Sequence, residues 1–311
     1  MRAVRATGPG VVDVVEVEPP IGDGVRVRVT ACGICGSDLH LAGWGPMPVT
    51  LGHEITGVLD DGTPVVIEPN APCGTCDRCV GGLTHHCRTI VQRMYGVSLD
   101  GGLADEIIVA PNAVIPVPPD MPARVAALAE PVAVAVHGLN RAGVEAGQRV
   151  LVIGGGSIGL LTVAALRGRG ADVDLSARHP AQRDAGESLG ATNRAGDDYD
   201  VVVDAAGTQA SLDQALNSAR PGGSVLVLST FWAPVQLDTG FGMQEVSLIP
   251  ASTYGHHHGR REFLDAIDLL AADPGIADAV VTHEVPLDEA ARAFATAGDR
   301  AGGSLKVLLV P

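Results

Sequence analysis

The apolar run Val150-Leu151-Val152-Ile153 breaks directly into Gly154-Gly155-Gly156-Ser157-Ile158-Gly159, and a second apolar run continues to Leu166. Few patterns restrict a fold as much. A glycine cluster of this density argues against one continuous membrane-spanning helix and predicts strand, tight turn and helix instead. The Gly-x-Gly-x-x-Gly spacing lets backbone N–H groups approach a pyrophosphate at the positive end of the following helix. Gly154, Gly156, Ser157, Ile158 and Gly159 are therefore candidate cofactor-binding residues. In a chain with 40 glycines the motif can also arise as a plain structural turn. The strand before it and the helix after it favour the dinucleotide reading.

The rhythm around this motif extends the same reading. Val150–Ile153, Val173–Ala177, Val201–Asp204, Val225–Ser229 and Val246–Ile249 are strand candidates, Ala191–Arg194 is a short sixth, and helical stretches separate most of them. Such alternation predicts a doubly wound parallel sheet. Cofactor choice is read at the end of its second strand, where an acidic side chain would accept the ribose hydroxyls and repel a 2′-phosphate. Here the strand ends in Ala177 followed by Arg178, a small residue and a cation, which predicts NADP in preference to NAD. Two counter-readings stand beside this one: Asp174 as the ribose acceptor, although it lies three residues before the tip, and Arg178 as a solvated surface charge.

The first half of the chain has a different texture. Short β-like runs (Val25–Val29, Gly57–Leu59, Val65–Ile67, Glu106–Val109) are separated by Gly, Pro and Asp clusters and predict a mostly β domain with irregular loops. A Pro-rich stretch, Pro111 to Pro122, ends it, and one helical segment, Ala123 to Arg141, carries the chain onward. Beyond Tyr254, helices over Arg261–Leu270 and Leu287–Thr296 and a last strand, Leu305–Val310, predict a tail that returns to the first domain. A length of 311 residues suits about two domains, each able to bury a core. The net charge of −15 opposes nucleic acid and anionic membranes as partners and leaves small-molecule chemistry as the default. No apolar signal core follows Met1-Arg2-Ala3-Val4-Arg5, so a cytoplasmic location is expected.

Four of the six cysteines fall in one stretch, Cys73-x2-Cys76-x2-Cys79-x7-Cys87. Cys-x-x-Cys turns present two sulfurs to one ion, and four thiolates complete a closed tetrahedral zinc site. Gly74, Thr75, Asp77, Arg78, Gly81 and Gly82 suit a loop wrapped around a metal. Disulfides, which could pair in three ways, and a nucleic-acid-binding zinc ribbon are the alternatives. The missing signal peptide argues against the first and the charge balance against the second.

A second constellation is Cys32-Gly33-Ile34-Cys35-Gly36-Ser37-Asp38-Leu39-His40, followed by Leu51-Gly52-His53-Glu54. With the four-cysteine lobe and the nucleotide motif in this order, the chain resembles the zinc-dependent medium-chain dehydrogenase/reductase family, in its alcohol and polyol dehydrogenase branch, over essentially its whole length. The resemblance implies an α/β fold: a GroES-like β-rich catalytic domain from residues 1–131 and 255–311, and a Rossmann doubly wound parallel-sheet domain from 132–254. It implies two zincs per chain, one catalytic and one structural. Cys35 and His53 match catalytic zinc ligands, Glu54 a ligand or close neighbour, and Glu130 of Glu130-Pro131 the remaining ligand position. The third protein ligand is thus Glu54 or Glu130. Ser37 and His40 match the proton-relay positions, and Lys306 a position that reaches the cofactor pyrophosphate.

The activity implied is hydride transfer between NAD(P), with NADP preferred, and a secondary alcohol or polyol, or the matching carbonyl. Reduction of a carbonyl or biosynthetic intermediate is the alternative within catalysis, and a non-catalytic NADP(H)-binding sensor the alternative outside it. A homodimer or homotetramer is expected from the family. Remaining features carry blander readings. Cys32 is a buried small hydrophobe, His85 and His86 are solvated, His137 is packed in a small-residue helix, and His256-His257-His258 is an exposed turn. Trp44, Met47 and Leu51 stand between the two catalytic motifs and are candidates to shape a pocket.

Overall fold

A computed structural model describes residues 1–311. Contacts divide the chain into two compact units, Met1–Glu130 with Leu270–Pro311, and Pro131–Leu269. The first crossing lies between Glu130 and Pro131. The second crossing lies beyond residue 255 because the Glu262 carboxylate is tied into the second unit. It accepts from the Gly255 N–H at 2.8 Å and from Asn140 Nδ2 at 2.8 Å, and it pairs with His137 Nδ1 at 2.7 Å. No helix is long and apolar enough to cross a membrane.

The first unit begins with the hairpin β1 (Arg2–Gly8) and β2 (Val11–Glu16). Then come β3 (Val25–Gly33), α1 (Gly36–Trp44), β4 (Glu54–Val58), β5 (Pro64–Ile67), the short α2 (Asp77–Val80) in the cysteine lobe, β6 (Glu106–Val109) and β7 (Val114–Pro116). β3 starts with period-2 alternation, Val27 and Val29 buried around an exposed Arg28, and ends wholly buried at Ala31-Cys32-Gly33. Its buried end leads straight into α1, and that junction positions Cys35. The single helix expected over Ala123–Arg141 is two, α3 (Ala123–Ala126) and α4 (Ala129–Arg141). A tight bond from Leu128 N–H to Val125 O closes the first before the second begins. Pro131 sits in the first turn of α4, where its missing N–H costs nothing.

The second unit contains β8 (Arg149–Ile153), α5 (Ser157–Gly168), β9 (Asp172–Ser176), α6 (Pro180–Ser188), β10 (Tyr199–Asp204), α7 (Gln209–Ser218), β11 (Ala219–Val227), α8 (Thr239–Met243), β12 (Ser247–Pro250), the two-residue strands β13 (His256–His257) and β14 (Arg260–Arg261), and all but the last turn of α9 (Glu262–Ala272). Its sheet runs β12-β11-β10-β8-β9 with every pairing parallel. Buried Leu151, Val202 and Val225 fill its centre. The order reverses beside β8, and the glycine turn leaves that strand's carboxyl end, where open parallel sheets bind ligands. Ala191–Arg194 is not a strand. It is reduced to one bridge, Asp174 to Thr192, because the Asn193 side chain turns back to Arg183 O and Glu187 Oε1. The three histidines do form an exposed turn. His258 and Gly259 take φ of 49° and 81° between β13 and β14, and positive φ at both central residues marks a type I′ turn.

The tail completes the first unit with α10 (Gly275–Val280), β15 (Val281–Pro286), α11 (Ala290–Gly298) and β16 (Lys306–Val310). β15 and β16 are parallel, and β16 pairs antiparallel with β3. The resulting sheet runs β15-β16-β3-β4-β5-β7, with β6 also on β3. The chain's last strand therefore lies beside the strand that delivers Cys35.

Candidate functional site

Cys35 is the N-cap of α1, with extended backbone (φ −87°, ψ 157°). Asp38, three residues on and fully buried, accepts from the Cys35 N–H through Oδ2 at 2.8 Å. This fixes the turn and leaves Oδ1 of Asp38 facing His53 Nδ1 at 3.5 Å. His53 comes from the loop before β4, and its other nitrogen, Nε2, lies 3.4 Å from Ser37 Oγ. Glu54 follows as the first residue of β4, opposite Gly33 of β3. A side chain at Gly33 would collide with the Glu54 carboxylate, so glycine is required there.

Ligand atoms of Cys35, His53 and Glu54 all lie within 4.8 Å of one another. One sulfur, one imidazole nitrogen and one carboxylate oxygen make a donor set that suits zinc and leaves a fourth position open. Burial disfavours a charge on His53, but the Asp38 carboxylate and the Cys35 sulfur more than offset it, so its pKa is raised well above the ordinary range. A metal at Nε2 therefore competes with a proton. A carboxylate behind the distal nitrogen of a metal-binding histidine fixes its tautomer and orientation. Asp38 is the residue that the sequence motifs missed. Its signal was an acid at the third helical position after a candidate ligand, the place of a capping side chain.

Glu130, in the first turn of α4, is buried at 9 % exposure and is not one of the three convergent residues. Its carboxylate does raise the pKa of Lys306. Lys306 differs most from its expected role. Its ammonium is buried and donates to Glu54 Oε1 at 2.6 Å, Glu54 Oε2 at 2.8 Å and Ile34 O at 3.2 Å. These three acceptors use all three protons of the ammonium, so Lys306 holds Glu54 instead of reaching out to a pyrophosphate. Burial works against the charge, yet Glu54 and the Cys35 sulfur raise the Lys306 pKa, so the pair stays ionic. His40 is exposed on α1, one turn beyond Ser37.

The four-cysteine lobe gathers Cys73, Cys76, Cys79 and Cys87 within 4.8 Å of one another. Sγ atoms of Cys73 and Cys79 are 3.9 Å apart and those of Cys76 and Cys79 3.5 Å. Four sulfurs at ~2.3 Å from one ion would be separated by roughly 3.8 Å, whereas a disulfide needs ~2.05 Å. All four cysteines are free thiols, and their spacing fits a metal. N–H groups of Cys76 and Cys73 point at the sulfurs of Cys73 and Cys87, at 3.4 and 3.3 Å. Backbone N–H groups of Thr75 and Cys76 pull the Cys73 thiol down to about 5, while burial and the neighbouring Cys76 push the Cys79 thiol up to about 12. The set is complete, with no room for a substrate.

In the second unit, Gly154 has φ of 104° and Gly156 caps α5. A Cβ on Gly159 would strike the Gly154 carbonyl. Glycine is thus needed for the backbone to fold tightly around the start of α5, the cradle a pyrophosphate requires. Asp174 is not available to a ribose: Tyr199 donates to it at 2.6 Å and Thr192 holds its other oxygen. Arg178 is exposed just past β9, and Ala177 is half-buried.

Comparison with known proteins agrees with this geometry. Residues 22–119 match the alcohol dehydrogenase GroES-like domain and residues 157–272 the zinc-binding dehydrogenase domain. The chain is 32 % identical to D-altritol 5-dehydrogenase of Agrobacterium fabrum, over 85 % of each chain. It is 30 % identical to L-idonate 5-dehydrogenase (NAD(P)(+)) of Escherichia coli, over 93 % of this chain and 92 % of that one. A structure from Sinorhizobium meliloti with NADP bound superposes with a TM-score of 0.87 at 31 % identity, covering 100 % of this chain and 99 % of the other. The chain belongs to the zinc-dependent medium-chain dehydrogenase/reductase family. It is an NAD(P)-dependent oxidoreductase of the alcohol dehydrogenase type, with the GroES-like and Rossmann architecture.

Proposed function

We propose that the protein oxidises a secondary hydroxyl of a polyol or sugar acid, or reduces the matching carbonyl, at a zinc held by Cys35, His53 and a glutamate, with NADP as the preferred cofactor. The observation that carries this reading is the convergence of Cys35, His53 and Glu54 with the Ser37 hydroxyl 3.4 Å from His53 Nε2. Relatives named for altritol, idonate and galactonate supply the substrate class. In this donor set a bound zinc would supply Lewis acidity toward an alcohol or carbonyl oxygen, and a bound nicotinamide would give or accept the hydride.

The chain's own residues have separable tasks. Cys35 and His53 supply the sulfur and nitrogen, and Glu54 or Glu130 the carboxylate. Lys306 offsets the charge of Glu54 while leaving the carboxylate further lone pairs for a metal. Asp38 holds the His53 ring so that Nε2 faces the ligand position. The Ser37 hydroxyl can accept the proton of a substrate hydroxyl and pass one on, because it is both donor and acceptor. His40, exposed one turn along the same helix face, exchanges protons with water. The four-cysteine lobe holds a second, structural zinc. A cytoplasmic homodimer or homotetramer is part of the same reading.

Steady-state rates on a panel of polyols, sugar acids and simple secondary alcohols with NADP and NAD test the proposal. Turnover of polyhydroxylated substrates with a lower KM for NADP supports it. Binding of NADPH without turnover of any panel member would instead favour a cofactor-binding sensor.

A further inference from the structure

The exposed turn between β13 and β14 carries chemistry that hydride transfer does not use. His257 ends β13 and His258 opens the turn, and both side chains are exposed. Their ring centroids lie 4.0 Å apart at an interplanar angle of 59°. Along a regular strand, consecutive side chains point to opposite faces. The left-handed backbone of His258, at φ 49°, breaks that alternation and brings its ring beside that of His257. Histidine is one of the few residue types enriched in this region of backbone space. We infer that His257 and His258 form a metal site separate from both cysteine clusters, a two-imidazole clip for a borderline divalent transition ion such as Ni²⁺ or Cu²⁺, with water filling the remaining positions.

Two imidazoles bound side by side at ~2.0 Å from one ion hold their ring centres roughly 4.4 Å apart. The observed pair reaches that arrangement by rotating its rings. Imidazole nitrogen suits nickel, copper and zinc, whereas hard ions such as Mg²⁺ take oxygen. The scaffold is set before any ion arrives. β13 and β14 pair at His256–Arg261 and His257–Arg260. The base of the hairpin is closed in both directions: the Gly255 N–H donates to Glu262 Oε2 at 2.8 Å, and the Glu262 N–H donates to Gly255 O at 3.0 Å. Arg260, the cation across from His257, is bound to Asp265 and, at 2.7 Å, to Asp268 of α9. Its charge is thereby compensated, and the net charge of −15 on the chain favours a cation. His256 is not part of the clip. It precedes His257 on the strand, pairs across with Arg261, and falls on the opposite face. The clip offers two ligands where the cysteine clusters offer three and four, so it loads from excess metal and empties on dialysis.

Calorimetric titration of the zinc-loaded full chain with Ni²⁺, and with Mg²⁺ as the hard-cation control, reads the site independently of turnover. The wild type is expected to bind one Ni²⁺ per chain and no Mg²⁺, with its zinc retained. His257→Ala is expected to weaken Ni²⁺ about tenfold or more. His258→Asn removes the imidazole and keeps a residue type that tolerates the left-handed backbone, so the turn survives, and the same loss is expected. His256→Ala leaves the clip intact and is expected to change Ni²⁺ affinity by less than about twofold. A wild type that takes up no Ni²⁺ overturns the clip. So does binding that survives in both the His257 and His258 variants, or a loss in His256→Ala as large as in His257→Ala. Ni²⁺ uptake matched by release of zinc would place the ion in a cysteine cluster and overturn it as well.

Discussion

The two cysteine-containing clusters of the first unit are built on opposite principles. Cys73, Cys76, Cys79 and Cys87 come from one short stretch, and their four sulfurs leave no free position. Cys35, His53 and Glu54 come from the start of α1, a loop and the start of β4, and they reach one another only because β3, β4 and β16 pair in register. The first is a local staple whose loss should be felt in the fold. The second is an open site, held by Asp38 and Lys306 from behind, whose loss should be felt in the chemistry.

Paired serine substitutions break this comparison most sharply. Cys35→Ser is expected to lower kcat by about a thousandfold or more, the several kcal/mol a Lewis acid contributes, with the circular dichroism spectrum and melting temperature close to wild type. Cys76→Ser is expected to do the reverse: a lower melting temperature and faster proteolysis between residues 73 and 96, with residual activity in the folded fraction. Identical phenotypes would remove the distinction.

The support behind the open site gives a smaller effect. Lys306→Met leaves Glu54 buried without its cation, and urea titration should register a loss of about 3–5 kcal/mol. Adding Glu54→Gln should recover much of it, and failure to do so would mean that the pair does not couple. Asp38→Asn keeps an acceptor for the Cys35 N–H but removes the charge facing His53. Zinc affinity, measured by competition with a chelator, is expected to fall about 10- to 100-fold.

The weakest expected effect concerns the second unit. Burial opposes the charge on Glu262, but His137, Asn140 and the Gly255 N–H bring its pKa down to about 2. A carboxylate depressed on folding contributes stability above its unfolded pKa, and the contribution is lost as pH falls through the folded value. The window is therefore from about 4.5 down to about 2. Glu262→Gln should be less stable at pH 7 by about 1–3 kcal/mol and should lose less on acidification across that window. An unchanged acid limb of the stability curve would contradict it.

Features set by local sequence were legible in the chain. Cysteine spacing, the glycine turn after an apolar strand, and the alternation of strand and helix each depend on neighbouring residues, and the structure shows all three. What depends on distant pairing was not. Lys306 resembles a phosphate contact in isolation, but its register in β16, beside β3, places it under Glu54. Ala191–Arg194 has strand-like residues, yet the Asn193 side chain bonds back to α6 and its loop neighbours leave one bridge. Asp38, at the third position of α1, carries no role in the sequence motifs and accepts from the Cys35 N–H. Its second oxygen faces His53 only because the loop before β4 folds over α1.

Zinc content measured per chain, in wild type and in Cys35→Ser, tests the separation of the two clusters most directly. Two zincs in the wild type and one in the variant, with the variant folded, is the predicted result. One zinc in the wild type, or an unchanged count in the variant, would contradict it.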